Sequence, residues 1–186
     1  MKTAKSLEYG FSNEEFENRL ERTQDLLYEE KLDALLISNP SNLRYFTGIN
    51  TDFWESPTRP WFLVIPLSGN AIAVIPEMGE NLFEKTFVKD IYTWSSPNVN
   101  GDDISPLKSV LDSLPSRFGA IGAELGKEMT IRMPILDFGL LQDSSKFDFI
   151  DAASLIWKLR IVKTPNEIKI LERVSKIVSD VFDLLP

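Results

Sequence analysis

The residues best suited to chemistry lie together in one irregular stretch, Ile49-Asn-Thr-Asp-Phe-Trp-Glu-Ser-Pro-Thr-Arg-Pro60. Arginine grips a carboxylate with two parallel hydrogen bonds, so Arg59 is a candidate anion clamp. Phe53 and Trp54 can wall a pocket for a small apolar group. Asp52 or Glu55 can receive an amine. A plainer account has Phe53 and Trp54 covering a sheet edge while Arg59 pairs locally with Glu55.

Composition narrows the chemistry further. The 186 residues contain no histidine and no cysteine. A serine–histidine–aspartate triad, a cysteine nucleophile and a zinc–thiolate site are excluded, as are disulfides. An all-carboxylate magnesium or calcium site is not excluded. Asp102-Asp103 is the obvious acidic pair, but acids in a Gly-Asn loop before a helix usually serve solvation. Gly119-x-x-Gly122 lacks the Lys-Ser/Thr of a phosphate loop. The net charge is −8 and the basic residues are dispersed, which speaks against nucleic acid. No apolar run approaches the roughly 20 residues needed to span a bilayer. We expect a cytoplasmic protein with no metal and no catalytic residue of its own.

The elements that position the loop follow from pattern. Ser12 and Glu15 read as a capping box, with Phe11 stapled to Phe16. Phe16, Leu20, Thr23 and Leu27 share one helical face, and Glu14, Glu15, Glu17 and Glu21 read as a solvated acidic one. Ala34 to Ile37 predicts a buried strand. Ser38 to Ser41 reads as a turn, followed by a short helix through Leu43, Tyr45 and Phe46 that Gly48 stops. Trp61–Ile65 and Ala71–Ile75 predict a hairpin. Gly79–Phe87 predicts a helix, and Ile91–Trp94 a strand.

Ser105-Pro106 opens a helix with Leu107, Val110, Leu111 and Leu114 inward. A strand over Gly119–Glu124, a helix over Thr130–Gln142 and a strand over Phe147–Ile150 follow. Asp151 caps a helix to Arg160. Trp61, Trp94 and Trp157 read as packing residues. Thr164-Pro-Asn-Glu167 is a second capping box, opening a helix with Ile168, Leu171, Val174, Val178, Val181 and Leu185 on one face. Helices and strands alternate around one hairpin, so we expect an α/β fold: a mixed β-sheet with helices on both faces. The final apolar face has no following partner in sequence, so a piece of something longer is expected.

The ordered features resemble a known family. Phe16 and Arg19 in the first helix, Leu32-Asp-Ala-Leu-Leu-Ile37, Asn42-Leu-Arg-Tyr-Phe-Thr-Gly48, Ile121-Gly-Ala-Glu124 and Leu159-Arg-Ile-Val-Lys-Thr-Pro-Asn-Glu-Ile168 are similar to the N-terminal domain of creatinase/prolidase (Xaa-Pro peptidase) enzymes. The resemblance implies a ribonuclease H-like mixed sheet over residues 11–160, after a flexible stretch at 1–10. Residues 161–186 would be a linker and the first helix of a truncated catalytic domain.

That missing domain would hold two divalent metal ions (Mn, Co or Zn) on two Asp, one His and two Glu. Creatinase-type members lack the metals and rely on histidine. The resemblance further implies a homodimer in which the loop carrying Asp52, Phe53, Trp54 and Arg59 reaches a neighbouring subunit's site. There Phe53 and Trp54 would face the proline ring of a peptide substrate. Two alternatives stand beside this: the same domain of a creatinase-like C–N hydrolase, and a stand-alone binding module.

Overall fold

The computed structural model describes residues 10–56, 59–96 and 104–184. The expectations for residues 1–9 and for Asp102-Asp103 lie outside that range.

The sheet is organised about β1 (Ala34–Ile37), whose four residues are all buried. β1 runs antiparallel to β2 (Phe62–Pro66) and parallel to β5 (Ala120–Ala123). β3 (Ile72–Pro76) pairs antiparallel with β2 and parallel with β4 (Asp90–Trp94). β6 (Asp148–Asp151) runs parallel to β5, giving the order β4-β3-β2-β1-β5-β6. The buried Asp33 carboxylate fixes where β5 begins. It accepts from the main-chain N–H groups of Arg117 (2.8 Å), Phe118 (2.9 Å) and Gly119 (2.6 Å). At Gly122 a Cβ would lie 2.8 Å from Ala152 Cβ and 3.0 Å from Leu32 Cδ1, so the close packing there needs glycine.

Alternation along the strands sends side chains to two cores. Leu35 and Ile37 of β1 join Leu27 of α1 (Asn13–Glu29), Leu43 and Phe46 of α2 (Pro40–Thr47), Phe83 of α3 (Glu80–Phe83) and Leu155 of α6 (Ala153–Ile161). Ala34 and Leu36 point the other way. They meet Leu107, Val110 and Leu111 of α4 (Ser105–Ser113) and Leu141 of α5 (Ile135–Ser144). Helices therefore cover both faces of a mixed sheet, as the alternating pattern predicts. α7 (Pro165–Phe182) carries the expected capping box but has no buried residue.

Several expectations need correction. Ser38–Ser41 is not a free turn: Asn39 Oδ1 accepts from Ser41 N (3.0 Å) and Pro40 is the first residue of α2. The helix expected over Gly79–Phe87 is a 3-10 turn (Glu77–Gly79) followed by the four residues of α3. Thr86 ends it, its N–H and hydroxyl both bonding to the Phe83 carbonyl (2.9 and 2.7 Å).

The helix expected from Thr130 begins only at Ile135, because Pro134 is extended (ψ 140°) and Arg132 N is held by Ser38 Oγ (2.9 Å). Trp157 is not a packing residue; it is 46% exposed. Ser12 Oγ accepts from Glu15 N (3.4 Å) and Phe11 meets Phe16 edge-on, but the Glu15 side chain does not return to Ser12. Nor is Glu15 solvated, since it lies buried.

α1 ends in a Schellman motif. Leu32 N donates to Leu27 O (2.8 Å) and Lys31 N to Tyr28 O (3.3 Å), with Lys31 left-handed at φ 57°. That conformation disfavours a residue with a Cβ. Lys31→Gly is therefore expected to raise the unfolding free energy by about 0.5–1 kcal/mol, measured by urea denaturation.

Candidate functional site

The carboxyl ends of β1 and β5 lie side by side, and crevices outside such strand ends are where open α/β sheets place ligands. The loop that follows α2 passes over this end. Gly48, at φ 76°, closes α2 and turns the chain out. Residues Asp52–Glu55 then make one 3-10 turn, opened by Thr51 Oγ1 accepting from Phe53 N (3.2 Å).

The chain returns at Arg59, which is partly exposed. Arg59 lines a small cleft with Ser38, Pro40, Ser56, Trp61 and Arg132. The free space there is about 10 Å³, room for one water and no more. This chain does not by itself enclose a substrate at that point.

Of the predicted site residues whose side chains are described, only Arg59 is brought to the cleft. Asp52 and Phe53 sit on the exposed turn; Phe53 is 50% exposed, so it does not cover the sheet edge. The side chains of Trp54 and Glu55 lie outside the described part of the structure, so the pairing of Arg59 with Glu55 does too. The second arginine of the cleft, Arg132, was not foreseen.

Nor was the carboxylate beneath it. Glu124, fully buried at the end of β5, receives hydrogen bonds from Ser38 N (2.7 Å), Ser38 Oγ (3.2 Å), Asn39 N (2.7 Å) and Asn42 Nδ2 (2.5 Å). It thereby ties the end of β1 and the start of α2 to β5. Asn42 Oδ1 in turn accepts from Arg160 Nη1 at the end of α6. The sequence did carry a signal here: a lone acid ending an apolar strand must either turn to water or find donors.

Burial pushes the Glu124 carboxyl above the ordinary carboxylate range, and the hydrogen bonds from Asn42, Ser38 and Asn39 offset only part of that. The native state then holds a proton more tightly than the unfolded chain. The stability linked to Glu124 is present at low pH and is lost as pH rises through its raised pKa.

A second polar cluster joins α1 to the start of α7. The guanidinium of Arg19, 1% exposed, lies over the rings of Phe11 (4.4 Å) and Tyr45 (4.3 Å). Its Nη1 donates to the Tyr45 carbonyl, and its Nη2 reaches Glu15 (3.4 Å) and Glu167 (3.2 Å). Glu15 also accepts from Thr164 Oγ1 (2.7 Å) and Asn166 Nδ2 (3.0 Å). Burial raises the Glu15 pKa, but the bonds from Thr164 and Asn166 and the Arg19 charge outweigh it, so the group lies below its ordinary value. Its contribution is present above the ordinary carboxylate range and is lost as pH falls through the depressed value.

Among the described residues, no group of three or more His, Cys, Asp or Glu is placed to hold a metal ion. No helix of the described residues is long and apolar enough to cross a membrane. The exposed large apolar side chains include a stripe along α7 from Ile168 to Val181, and Ile135, Leu136 and Leu140 on α5.

Two outcomes test this electrostatic picture. Glu124→Gln replaces a two-oxygen acceptor by an amide whose NH2 must face a donor. At neutral pH it is expected to destabilise the chain by about 1–3 kcal/mol in urea denaturation, despite removing a buried charge. Glu15→Gln is expected to be less stable than the native chain at neutral pH. That gap should close as pH falls below the ordinary carboxylate range, which parallel urea titrations would follow.

Comparison with known proteins agrees with this architecture. The family described as Creatinase/Prolidase N-terminal domain matches residues 19–162. An uncharacterised peptidase of Schizosaccharomyces pombe is 27% identical over 183 residues, 89% of this chain and 36% of that protein. The ectoine hydrolase of Halomonas elongata is 27% identical over 176 residues, 91% of this chain and 43% of that protein. A crystal structure of prolidase from Thermococcus sibiricus shares the fold at a TM-score of 0.72 and 21% identity, covering 90% of this chain and 42% of that one. The chain thus spans about two fifths of the length of these relatives. With the match of residues 19–162 and the six-stranded mixed sheet together, the chain belongs to the creatinase/prolidase N-terminal domain family.

Proposed function

We propose that this chain is the N-terminal, oligomerising and substrate-gating domain of a metal-dependent Xaa-Pro peptidase of prolidase or aminopeptidase P type. The observation that carries the reading is α7. Its capped, amphipathic helix leaves Leu171, Val174 and Val178 about half exposed, in a chain that spans about two fifths of its relatives. An apolar stripe of that length is a surface for packing. In this reading residues 11–160 are the N-terminal domain, and 161–186 lead into a catalytic domain that α7 begins.

The chemistry then belongs to the domain beyond α7. Divalent ions acidify water and polarise a scissile carbonyl, and the residues described here offer no set to hold them. We assign the two ions (Mn, Co or Zn) to the catalytic domain. The part this chain plays is recognition. Arg59, beside Arg132 at the strand ends, presents a cationic edge to the carboxylate of a proline-containing peptide at a neighbouring subunit's site. Phe53, earlier in the same loop, stands exposed to contact an apolar ring, and Trp54 and Asp52 complete the loop. A second subunit is the partner this requires. The α5 surface, where Ile135 is 90% and Leu136 71% exposed, suits such pairing. We place the protein in the cytoplasm, whose reducing conditions suit a chain without cysteine.

A second reading rests on the relative named ectoine hydrolase: the same domain in a metal-independent hydrolase of a small C–N compound.

One set of assays separates the readings. The whole protein is expected to hydrolyse an Xaa-Pro dipeptide with added Mn²⁺ and to lose that activity on chelation. The chain of 186 residues alone is expected to be inactive with any metal. Arg59→Ala in the whole protein is expected to raise KM about tenfold with kcat little changed. Unchanged KM would return Arg59 to a structural role. Hydrolysis of a C–N compound that survives chelation would establish the second reading.

A further inference from the structure

The position of α7 is not explained by burial. No residue of α7 is buried, so no core holds it against the sheet. What does hold it is polar and concentrated at its first turn. Both oxygens of Glu15 are used, Oε1 by Thr164 Oγ1 and Oε2 by Asn166 Nδ2. Arg19 joins Glu15 to Glu167, and Glu167 closes the capping box by accepting from Thr164 N (2.8 Å). The corner before α7 is tied down as well. The Leu159 carbonyl accepts from Tyr45 OH (3.2 Å) and from Arg22 Nη2 (3.4 Å), and Lys163 Nζ donates to the Arg160 carbonyl (2.7 Å). The first helix and the last, about 150 residues apart in sequence, thus meet through one buried guanidinium.

We propose that Glu15, Arg19, Asn166 and Glu167 form an orienting clasp. It fixes the direction of α7 relative to the sheet before any partner docks, so the apolar stripe is offered as a preset surface. That the surface receives a following domain rests on the functional reading above; the clasp itself does not. The physical case is one of leverage. Two hydrogen bonds and an ion pair at one end of an 18-residue helix govern where its far end points. They can do so because their acceptor sits on α1 and is itself buried against Arg19. Preorganisation of this kind lowers the ordering cost of a later contact.

The chain has no cysteine, so two introduced ones can carry nitroxide labels without background. With Glu29→Cys on α1 and Lys176→Cys on α7, double electron–electron resonance on the otherwise native chain is expected to give one narrow distance distribution. Asn166→Asp is the informative variant. Asn166 is exposed, so the fold is kept, and an acid in the first turn favours the helix. The new charge nevertheless repels Glu15. We expect a distribution about twofold broader or displaced while helical circular dichroism is retained. Glu15→Ala should behave alike.

A narrow, unmoved distribution in both variants would overturn the clasp, as would a broad one in the unmutated labelled chain. Loss of helical signal in Asn166→Asp would also overturn it, since the contacts would then hold the helix together rather than aim it. Dipeptide assays of the whole protein report on the functional reading separately.

Discussion

Arg19 is taken out of water with its charge intact, and a buried guanidinium dictates its surroundings. It needs acceptors, and it finds them in the Tyr45 carbonyl, Glu15 and Glu167. It needs a polarisable wall, and the rings of Phe11 and Tyr45 provide one. Those partners come from α1, α2 and α7. Three helices distant in sequence are therefore positioned by one side chain. Removing either acid would leave the guanidinium with one carboxylate and the Tyr45 carbonyl, and so with one fewer tie between the helices. The arrangement is demanding rather than simply stabilising, and that demand fixes geometry.

Glu124 works in the same way at the carboxyl ends of β1 and β5. A carboxylate with donors on both oxygens holds the end of β1, the start of α2 and, through Asn42, the end of α6. Ser38 receives the main chain of Arg132 there as well. The cationic cleft with Arg59 is built on this buried anion. The two polar clusters sit at places where apolar packing alone would leave direction undetermined, namely the strand ends and the helix start.

Much of the fold was legible from pattern. The four-residue apolar run became β1 to the residue, the hairpin formed as expected, and Thr164 to Glu167 formed its capping box. Local chemistry suffices for these because each signal is decided within a few residues. The site was less legible. Arg59 reached the cleft as its loop position suggested, but Arg132 joined it from a segment more than 70 residues away. Glu15 read as one of several solvated acids, because nothing in α1 says that Thr164 and Asn166 will arrive beside it. Thr130–Pro134 was misread as helix because helical composition carries no record of Ser38 claiming the Arg132 N–H.

The sequence alone determined the element order, the two-faced sheet, the exclusion of histidine and cysteine chemistry, and the unpartnered stripe of α7. These follow from periodicity, caps and composition, which are properties of neighbouring residues or of totals. Tertiary structure decided which charges are buried and with whom: Arg19 with Glu15 and Glu167, Glu124 with Ser38, Asn39 and Asn42, Arg59 beside Arg132. A charge enters the interior only if partners from elsewhere in the chain meet it, and that meeting is settled by the whole fold rather than by the residues on either side.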